Sequence, residues 1–388
     1  MGPQVSTVEC VDDNLNQTVF AQLEAKARAL GFDAVGCAAA EELTEDLAQL
    51  RVWLEQGRHG DMTWLARDPE RRADPRRVLE GCRTVIILAM HYLQEPLPPP
   101  AEAVASPPAG LGRISKYART RDYHRVMEKR LRKIARYIDE ELCPGAQSRS
   151  FVDYGPVFER QWAQRAGLGF IGKHTLLIDP RRGSFFFLGS VLTTAEITHP
   201  LPSPATTYSC GNCRRCIDAC PTGAITAPHQ FDATRCISYL TIEKQGAIED
   251  RFWPEMRGYV FGCDICQDVC PYNQARAEEG PSLALGGALV PATLPLADWL
   301  TRPEQVLQQL EGQSSPLRRA GPEALRRNAA VVASERGTPE DLEALHMIME
   351  DRSHPEWLRA MVQECAARLS ARLAGGENPH RLSGHDSG

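Results

Sequence analysis

The chain has 388 residues, of which 43% are hydrophobic, and a formal net charge of −6. This composition is ordinary for a globular protein of two or three domains, and the acidic balance excludes a global positive field that would attract nucleic acid; any polyanion must meet a local basic patch. Residues 1–14 lack an apolar core and the apolar run 84–90 is too short to span a bilayer, so we expect a cytoplasmic protein without membrane segments.

The first 199 residues alternate predicted helices and strands. In chain order they are a helix at 19–30, strands at 34–38 and 84–90, a long amphipathic helix at 123–142, a strand at 150–153, a helix at 157–166, and strands at 175–179 and 185–193. The Pro-, Ala- and Gly-rich stretch 97–112 is interpreted as an exposed connection or flexible loop. This mixture predicts an α+β domain over residues 1–199, with Pro200, Pro202 and Pro204 at the junction that follows.

Eight of the 13 cysteines lie between positions 210 and 270. Cys210, Cys213, Cys216 and Cys220, followed by Pro221, reproduce the bacterial ferredoxin run, in which three thiolates bind one cluster and the fourth binds another. A second run ends in Cys-Pro but lacks its leading cysteine, and Cys236 is the natural substitute. The spacing predicts two [4Fe–4S] clusters in a ferredoxin-like domain over residues 200–280. The predicted ligand sets are Cys210, Cys213, Cys216 and Cys270 for one cluster, and Cys220, Cys236, Cys263 and Cys266 for the other.

Zinc is the alternative metal, since it also takes four thiolates, but zinc ribbons rarely use two interleaved sets that each close with Cys-Pro. The five remaining cysteines are scattered and are interpreted as small buried apolar residues. They are Cys10, Cys37, Cys82, Cys143 and Cys365.

Helical apolar spacing recurs after residue 280. It predicts four helices, at 303–310, 322–334, 339–349 and 355–373, several of them opened by proline. Four successive helices indicate a HEAT-like helical-repeat domain over 281–374, and the polar tail 375–388 is predicted to be disordered.

The residues do not by themselves identify the ligand or cofactor that the first domain binds. No Gly-x-Gly-x-x-Gly follows a strand, and no phosphate-binding loop is present. Gly167, Gly169 and Gly172 would let backbone approach a large flat ligand, or they form a plain helix-to-strand turn. Asp153 suits a general acid at a cleft, or a helix cap. Both alternatives stay open at this level.

Several motifs together closely resemble the epoxyqueuosine reductase family. They are Val152-Asp153, Glu159-Arg160, the run 167–173, Tyr117-Ala118-Arg119, Asp122-Tyr123-His124, the run 235–241 and both cysteine runs. The cysteine runs alone are shared with many ferredoxins, whereas the combination is specific and covers nearly the whole chain.

This resemblance implies a cobalamin-binding N-terminal domain related to corrinoid-dependent reductive dehalogenases, followed by the cluster domain and a helical repeat. It implies that the enzyme reduces epoxyqueuosine to queuosine at the wobble position of tRNA, the last step of queuosine biosynthesis, with two electrons and two protons. The clusters would pass electrons singly from an external donor such as ferredoxin, flavodoxin or a chemical reductant. We expect a monomer.

The resemblance also implies roles for individual residues. The proton donor falls on Asp153, whose carboxyl is expected to stay protonated near neutral pH because burial against the corrin raises its pKa. Arg72 is alternatively a charge in a solvated run, and Leu177 and Leu188 are alternatively core residues; His174, where the family commonly has Asn, is expected to donate a hydrogen bond rather than ligate cobalt. The implied cobalamin contacts are Arg72, Ser115, Asp153, Gly172, His174, Leu177, Leu188, Ser238, Asp264 and Ile265.

For tRNA, the resemblance implies contacts at Glu243 and Lys244. Four arginines of the helical region are candidates for phosphate contacts or belong to a solvated face. They are Arg318, Arg319, Arg326 and Arg327.

Two other classes of protein share this arrangement of cysteines. A corrinoid reductive dehalogenase shares the cobalamin and the clusters, but those proteins usually carry a twin-arginine signal, which is missing here. A ferredoxin-type electron carrier would hold iron and sulfide without cobalt.

Overall fold

The computed structural model describes residues 13–93, 95–198, 207–274, 285–309 and 315–375. The predicted junction at Pro200, Pro202 and Pro204 and the predicted disordered tail over residues 376–388 lie outside this part of the chain. Within the described ranges, no helix is both long enough and apolar enough to cross a bilayer.

The described elements mix helices and strands throughout, which confirms the α+β class. The strands are β1 (Ala34–Ala39), β2 (Thr84–His91), β3 (Leu111–Ile114), β4 (Ser148–Phe151), β5 (Phe170–Ile171), β6 (Leu177–Ile178), β7 (Phe186–Thr193), β8 (Ile225–Ala227), β9 (Gln230–Phe231), β10 (Tyr259–Phe261) and β11 (Thr293–Pro295). The helices are α1 (Asp13–Ala29), α2 (Thr44–Glu55), α3 (Pro69–Ala73), α4 (Pro100–Ala103), α5 (Tyr123–Tyr137), α6 (Glu159–Arg165), α7 (Arg215–Asp218), α8 (Ile237–Ile242), α9 (Ile265–Asp268), α10 (Pro271–Gln274), α11 (Leu296–Thr301), α12 (Pro303–Gln309), α13 (Gly321–Arg336), α14 (Pro339–Glu350) and α15 (Glu356–Ala374).

The N-terminal part is a four-stranded antiparallel sheet in the order β1-β2-β7-β4, with helices on both faces. Every residue of β2 is buried, because alternate side chains point to opposite faces of a sheet and both faces are covered. Ile86, Leu88 and Met90 pack in the core that α1 and α5 cover. Val85 and Ile87 pack in the core that α2 and α6 cover. The helices cover the two faces of the sheet, so a functional site can form at the strand ends and the turns that follow them.

Most predicted elements of this part are present, but α2 was not predicted and α1 begins at Asp13 rather than at residue 19. Three further differences concern β4, β6 and the stretch 97–112. Strand β4 ends at Phe151, so Asp153 lies in the turn beyond the strand. The strand predicted at 175–179 is reduced to the two residues of β6. The stretch 97–112 is not simply an exposed loop, because it contains α4 and the first half of β3, and Ala103 is buried among apolar side chains. Local composition could not reveal those partners, which are distant in sequence.

A small second sheet joins distant parts of the chain in the order β10-β3-β11. Strand β3 pairs in parallel with β10 and antiparallel with β11. Each strand comes from a different one of the three predicted domains, and a single core runs from Ile114 through Trp253 and Trp299 to Leu369. The boundaries at residues 199 and 280 stay a prediction, but the three segments pack against one another directly.

The predicted C-terminal helices are present as α12 to α15, and α11 precedes them. Helix α13 lies at the centre, in contact with α11 and α15, and its residues 325–334 are all buried. The HEAT-like character of this region stays a prediction. The consequence for the site is that two polar residues of α13, Arg327 and Asn328, are buried against residues 240–246 and against β10.

Candidate functional site

Asp153 lies in a tight turn between β4 and α6. Its backbone is left-handed, with φ of 59°, a conformation that Asp tolerates better than most residues. The backbone N–H of Asp153 donates to Oε1 of Glu159 at 2.9 Å. Glu159 is in the first turn of α6, so the helix start holds the turn that carries the aspartate. The side chain of Asp153 remains 64% exposed, although protein surrounds it on most sides. Asp153 therefore faces a cleft and does not cap a helix.

Two side chains from the start of α5 contact the carboxylate of Asp153. The Tyr123 hydroxyl donates to Oδ2 at 2.6 Å, and Nε2 of His124 lies 3.4 Å from the same oxygen. The Tyr123 ring stacks on Phe187 at 3.9 Å between centroids, which fixes the hydroxyl. Asp122 caps α5 and its Oδ1 lies 2.8 Å from Nδ1 of His124. The arrangement is a chain of hydrogen-bonding groups from Asp122 through His124 to Asp153.

Burial and hydrogen bonding act in opposite directions on the pKa of Asp153. Burial raises it, but hydrogen bonds from His124 and Tyr123 outweigh burial and hold the pKa below its usual range. Burial of His124 is likewise outweighed by its bonds to Asp122 and Asp153, which raise its pKa to about 9. In this arrangement the carboxyl of Asp153 is therefore ionised at neutral pH, contrary to what burial alone would give.

Glu159 has the opposite environment. Burial, and then the negative charge of Asp153, raise its pKa to about 8. The cleft thus holds one ionised carboxylate, Asp153, beside one that is largely neutral near pH 7.

The glycine-rich segment forms a hairpin of β5 and β6 beside this turn. A Cβ at Gly169 would lie 2.2 Å from the carbonyl oxygen of Ile178, and one at Gly172 would lie 2.6 Å from Cδ1 of the same residue. Gly167 has φ of 80° at the end of α6. Packing and turn geometry within the hairpin therefore account for these glycines without a ligand.

Arg160 stabilises the β5–β6 hairpin, just as Glu159 stabilises the turn that carries Asp153. Its Nη1 donates to the carbonyl oxygen of Thr175 at 2.7 Å, and Thr175 also has a left-handed backbone, with φ of 68°. Two adjacent residues at the start of α6 therefore fix both strained turns at the cleft.

His174 is buried and Arg72 is partly buried near these turns, and each has one buried nitrogen without a partner among the described residues. Nδ1 of His174 accepts the N–H of Leu176 at 3.1 Å, and burial lowers the ring pKa to about 4, so the ring is neutral with its proton on Nε2. That Nε2 has no partner. Arg72 donates to the carbonyl oxygens of Gly155 and Trp64, and its Nε has no partner. Leu177 is buried and Leu188 packs at the edge of the same core.

Ser115 and Asp264 lie together where the first part meets the cysteine-rich part. The Ser115 hydroxyl donates to Oδ1 of Asp264 at 2.6 Å, and the backbone N–H of Lys116 donates to Oδ2 at 2.8 Å. Ile265 beside them is buried, whereas Ser238 is partly accessible. Ser115 and Asp264 are therefore bonded to each other across the junction.

The cysteine thiols meet in two neighbouring groups. Burial raises the pKa of Cys216 to about 11, and the charges of Cys210, Cys270 and Cys213 add to this. Burial also raises the pKa of Cys266 well above its usual value, with added effects from Cys236 and Cys220, and Cys236 affects Cys263 similarly. Within the described ranges, no three or more His, Cys, Asp or Glu side chains meet closely enough to hold a single metal ion.

Backbone N–H groups point at the sulfurs of the cysteine loops. The N–H of Lys173 lies 3.5 Å from Sγ of Cys210, and that of Ala224 lies 3.3 Å from Sγ of Cys220. The Lys173 ammonium donates to the carbonyl oxygens of Gly211 and Cys213 at 2.6 and 2.8 Å. The loop that holds His174 is thereby attached to the first cysteine loop.

The four candidate arginines of the helical region fall into two classes. Arg326 and Arg327 are 5% and 1% exposed, so neither belongs to a solvated or phosphate-binding face. Arg327 instead donates to the carbonyl oxygens of Leu240, Lys244 and Gly246. Arg318 and Arg319 remain exposed.

Arg319 lies at the rim of the cleft. Its Nε and Nη2 donate to the two carboxylate oxygens of Glu243, both at 3.0 Å, and its guanidinium lies 5.0 Å from the centre of the Trp64 ring. These hydrogen bonds raise the pKa of Arg319, and the negative charges of Glu243 and Asp153 add to this. Lys244 lies 3.4 Å from Glu249.

The sequence alone did not reveal the partners of these groups. Tyr123, His124 and Glu159 belong to the family motifs but had no predicted role, and Trp64 was not predicted to be a site residue. The Asp-Tyr-His triplet before a helix is the one local signal that points to a hydrogen-bonding group, but nothing local indicates that it meets Asp153, which is 29 positions further along the chain than His124.

Comparisons with known proteins agree with this arrangement. The family model "4Fe-4S double cluster binding domain" matches residues 209–273, and "Epoxyqueuosine reductase QueG, DUF1730" matches residues 72–154. An epoxyqueuosine reductase of Xanthomonas campestris pv. campestris is 41% identical over 349 residues, which cover 89% of this chain and 93% of that protein. The Pseudomonas aeruginosa epoxyqueuosine reductase is 39% identical, covering 85% of this chain and 92% of its own.

Solved structures share the fold. A crystal structure of epoxyqueuosine reductase with a tRNA-Tyr epoxyqueuosine-modified tRNA stem loop superposes with a TM-score of 0.79 at 23% identity, covering 96% of each chain. At that identity the likeness concerns the fold.

Glu159 should be needed to hold the Asp153 turn. In Glu159→Leu the amide of Asp153 loses its acceptor, and we expect its hydrogen exchange to accelerate by about fivefold, since a net hydrogen bond contributes about 1 kcal/mol. Glu159→Gln retains an acceptor oxygen and should stay close to wild type. Exchange followed by NMR or mass spectrometry measures this. Glu140→Leu, at an exposed position, is the control; equal exchange in both leucine variants would contradict the role of Glu159.

Proposed function

The chain belongs to the epoxyqueuosine reductase family, and we propose that it reduces epoxyqueuosine to queuosine at the wobble position of tRNA, using electrons that two [4Fe–4S] clusters carry to a bound cobalamin. The observation that supports this most directly is the combination of Asp153, an accessible carboxylate bonded to Tyr123 and His124, with eight cysteines that interact in two neighbouring groups. Neither a dehalogenase nor a simple electron carrier is favoured, because relatives that match along most of the chain are epoxyqueuosine reductases.

The reaction itself defines what the protein must supply. An epoxide becomes an alkene when both C–O bonds break, two electrons enter and the oxygen leaves as water with two protons. Negative charge develops on the oxygen, so a proton donor must lie within hydrogen-bonding distance of it. We assign that role to Asp153, the one carboxylate that the turn after β4 presents to the cleft.

The eight cysteines would hold the clusters in the sets predicted from spacing. One set is Cys210, Cys213, Cys216 and Cys270, and the other is Cys220, Cys236, Cys263 and Cys266. Supporting this, the thiols that raise one another's pKa fall into these groups, and Cys266 also senses Cys216, so the two groups adjoin. Buried thiols with raised pKa values keep their protons until a metal displaces them, and N–H groups aimed at the sulfurs are typical of cluster loops.

The cleft also fits cobalamin. A buried histidine N–H and a buried arginine N–H without partners, at His174 and Arg72, are what a polar ligand would satisfy. Since the neutral His174 ring carries its proton on Nε2, it is a donor and not a cobalt ligand. Cobalamin supplies a cobalt centre that is a strong nucleophile or one-electron donor when reduced. The proposed contacts are Arg72, Ser115, Asp153, Gly172, His174, Leu177, Leu188, Ser238, Asp264 and Ile265.

Ser115 and Asp264 would contribute mainly by fixing the junction, because their side chains already bond to each other. Gly172 would contribute through its backbone, since its Cα faces Ile178 and His174. Ser115 and Asp264 would thus act indirectly, by fixing the junction, and Gly172 would act through its backbone.

For tRNA, we propose that the cleft rim of Trp64, Glu243 and Arg319 receives the anticodon, with Lys244 and Arg318 nearby. Arg319 spans from the helical region to the segment 240–246 and lies over an aromatic ring of the first part. Glu243 occupies Nε and Nη2 of Arg319, so a phosphate would be bound through Nη1 or in exchange for the Glu243 carboxylate. Because the substrate is tRNA, we place the reaction in the cytoplasm.

An external one-electron donor, such as ferredoxin, flavodoxin or a chemical reductant, would reduce the clusters of a monomeric enzyme. The loop 207–215 beside Cys210 and Cys213 is largely exposed and carries Arg214 and Arg215. It is the surface through which we expect electrons to enter.

Asp153→Asn should retain cobalamin and both clusters, because the amide keeps the size and one acceptor of the carboxylate. Its turnover should fall by at least about 100-fold, since it cannot transfer a proton. Nucleosides digested from epoxyqueuosine-containing tRNA after incubation with reductant give the amount of queuosine. Queuosine formation at the wild-type rate would remove Asp153 from the acid role, and no queuosine from the wild type would refute the function.

Cys270→Ala should lose one cluster, so that iron falls from about eight to about four atoms per chain after anaerobic reconstitution. Cys365→Ala is the matched control, because Cys365 is buried in α15 away from both groups. Iron and acid-labile sulfide analysis decides the outcome. Zinc in place of iron, or unchanged iron in Cys270→Ala, would contradict the assignment.

Arg319→Gln should weaken binding of a tRNA anticodon stem loop by roughly threefold to tenfold and lower the slope of log affinity against log salt by about one. The same change at the exposed Arg352, in the loop between α14 and α15, is the control. Fluorescence anisotropy across a salt series measures both. Identical affinity and slope in the two variants would exclude Arg319 from the interface.

A further inference from the structure

The turn that carries Asp153 needs a source of protons for the proposed reaction. The proposed reaction consumes two protons in each turnover, whereas the hydrogen bonds that Asp153 accepts keep it ionised at neutral pH. An ionised carboxylate cannot protonate an oxygen. The proton must therefore come from a group that is in contact with Asp153 and that retains a proton under the same conditions.

His124 is placed for this. Its Nε2 lies 3.4 Å from Oδ2 of Asp153, the oxygen that also accepts the Tyr123 hydroxyl. On the other side of the ring, Oδ1 of Asp122 lies 2.8 Å from Nδ1 and also accepts the backbone N–H of His124 at 3.1 Å. The ring is thus held at both nitrogens, with one nitrogen directed at Asp153.

The groups that face His124 favour its protonated form. Asp122 and Asp153 are both negative neighbours, whereas the Tyr123 and Tyr154 rings stack at 4.0 and 6.1 Å between centroids and carry no charge. Arg160 and Glu159 interact electrostatically with Asp153 from α6, and Arg319 does so from the helical region. Burial lowers the pKa of His124, but its hydrogen bonds to Asp122 and Asp153 and their negative charges outweigh burial and raise the pKa to about 9, so the ring is charged at pH 7.

The ion pair between His124 and Asp153 still contains a proton that can be transferred. The state with His124 protonated and Asp153 ionised contains the same number of protons as the state with His124 neutral and Asp153 protonated. A transfer over one contact converts the first into the second, which places the proton on the oxygen that faces the cleft. The side chain of His124 is 33% exposed, so water can return a proton to the ring afterwards.

We propose that His124 is the proton store of this active site, oriented by Asp122 and discharging through Asp153. The proposal rests on the proposed function and assigns the source of both protons. The first moves from His124 Nε2 to Asp153 Oδ2 and then to the epoxide oxygen as the first C–O bond breaks. Solvent reprotonates His124, and a second transfer by the same route accompanies departure of that oxygen as water, while the two electrons arrive from the clusters.

The proposal predicts a particular dependence of rate on pH. A group whose pKa is raised holds its proton below that pKa and loses it above, so the wild-type single-turnover rate should be flat near neutrality and fall as pH rises through about 9. His124→Gln, which keeps a hydrogen-bond donor without a transferable proton, should be slower by about 100-fold or more and lack this alkaline fall. His346→Gln, at an exposed position of α14, is the control.

Two further measurements separate proton storage from a merely structural role. Added imidazole should restore turnover to His124→Ala, because it supplies the missing acid. NMR titration of the protein without cofactors should show His124 titrating near pH 9, and the value should fall by about one unit or more in Asp122→Asn and in Asp153→Asn, since each removes an opposite charge.

The outcomes distinguish this proposal from the function on which it rests. If the wild type produces queuosine and Asp153→Asn does not, but His124→Gln matches the wild type across the pH range, His124 is not the proton store. An ordinary His124 pKa in the NMR titration would also overturn the proposal. If the wild type forms no queuosine at all, the proposed function itself fails.

Discussion

The junction at Asp264 is the interaction on which the rest of the structure depends. This buried carboxylate accepts the Ser115 hydroxyl and the Lys116 N–H from the N-terminal part, while its chain neighbours Cys263 and Cys266 belong to the cysteine centres. Lys116 extends the contact by pairing with Asp268 at 2.7 Å. Removing one partner of such a buried pair typically costs about 3–5 kcal/mol, because the remaining charge is left uncompensated. Parallel pairing of β3 with β10 runs alongside, so the N-terminal part and the cysteine loops have a defined separation. The proposed electron transfer between them requires that separation to be constant.

The active-site turn depends on a second constraint, which is that strained backbone must be held by its surroundings. Asp153 and Thr175 both have left-handed backbones, and adjacent residues at the start of α6 bind the two turns. Such conformations persist only where the surrounding structure determines them, and they are common at functional sites. The same helix start therefore places the proposed acid and shapes the hairpin beside it. Tyr123 and His124 contact the carboxylate from α5 and keep it ionised, and His124 is the group proposed to supply its proton.

The helical region positions the rim of the cleft without entering it. Arg327 and Asn328 are buried polar residues of α13, and they satisfy carbonyl oxygens of residues 240–246 and of Val260. An unsatisfied buried carbonyl costs about 1–3 kcal/mol, so these contacts keep the segment that carries Glu243 in one conformation. Arg319, one turn before α13, then pairs with Glu243 and stacks on Trp64. The helices thus act as a support for the proposed tRNA contacts, and only exposed arginines such as Arg319 are available to a phosphate.

Sequence alone determined the features that depend on near neighbours. Cysteine spacing predicted the two groups of thiols, apolar periodicity predicted most strands of the main sheet and the helices α12 to α15, and the motif around Asp153 indicated the family. What only the tertiary structure decided depends on contacts between distant residues, which periodicity does not report. It decided that β3, β10 and β11 share a sheet, that Arg326 and Arg327 are buried, and that the glycines of 167–172 serve packing. It also decided the direction of the Asp153 pKa shift, because hydrogen bonds from His124 and Tyr123 on another element outweigh burial, and an effect that comes from a folded contact has no local signature in the chain.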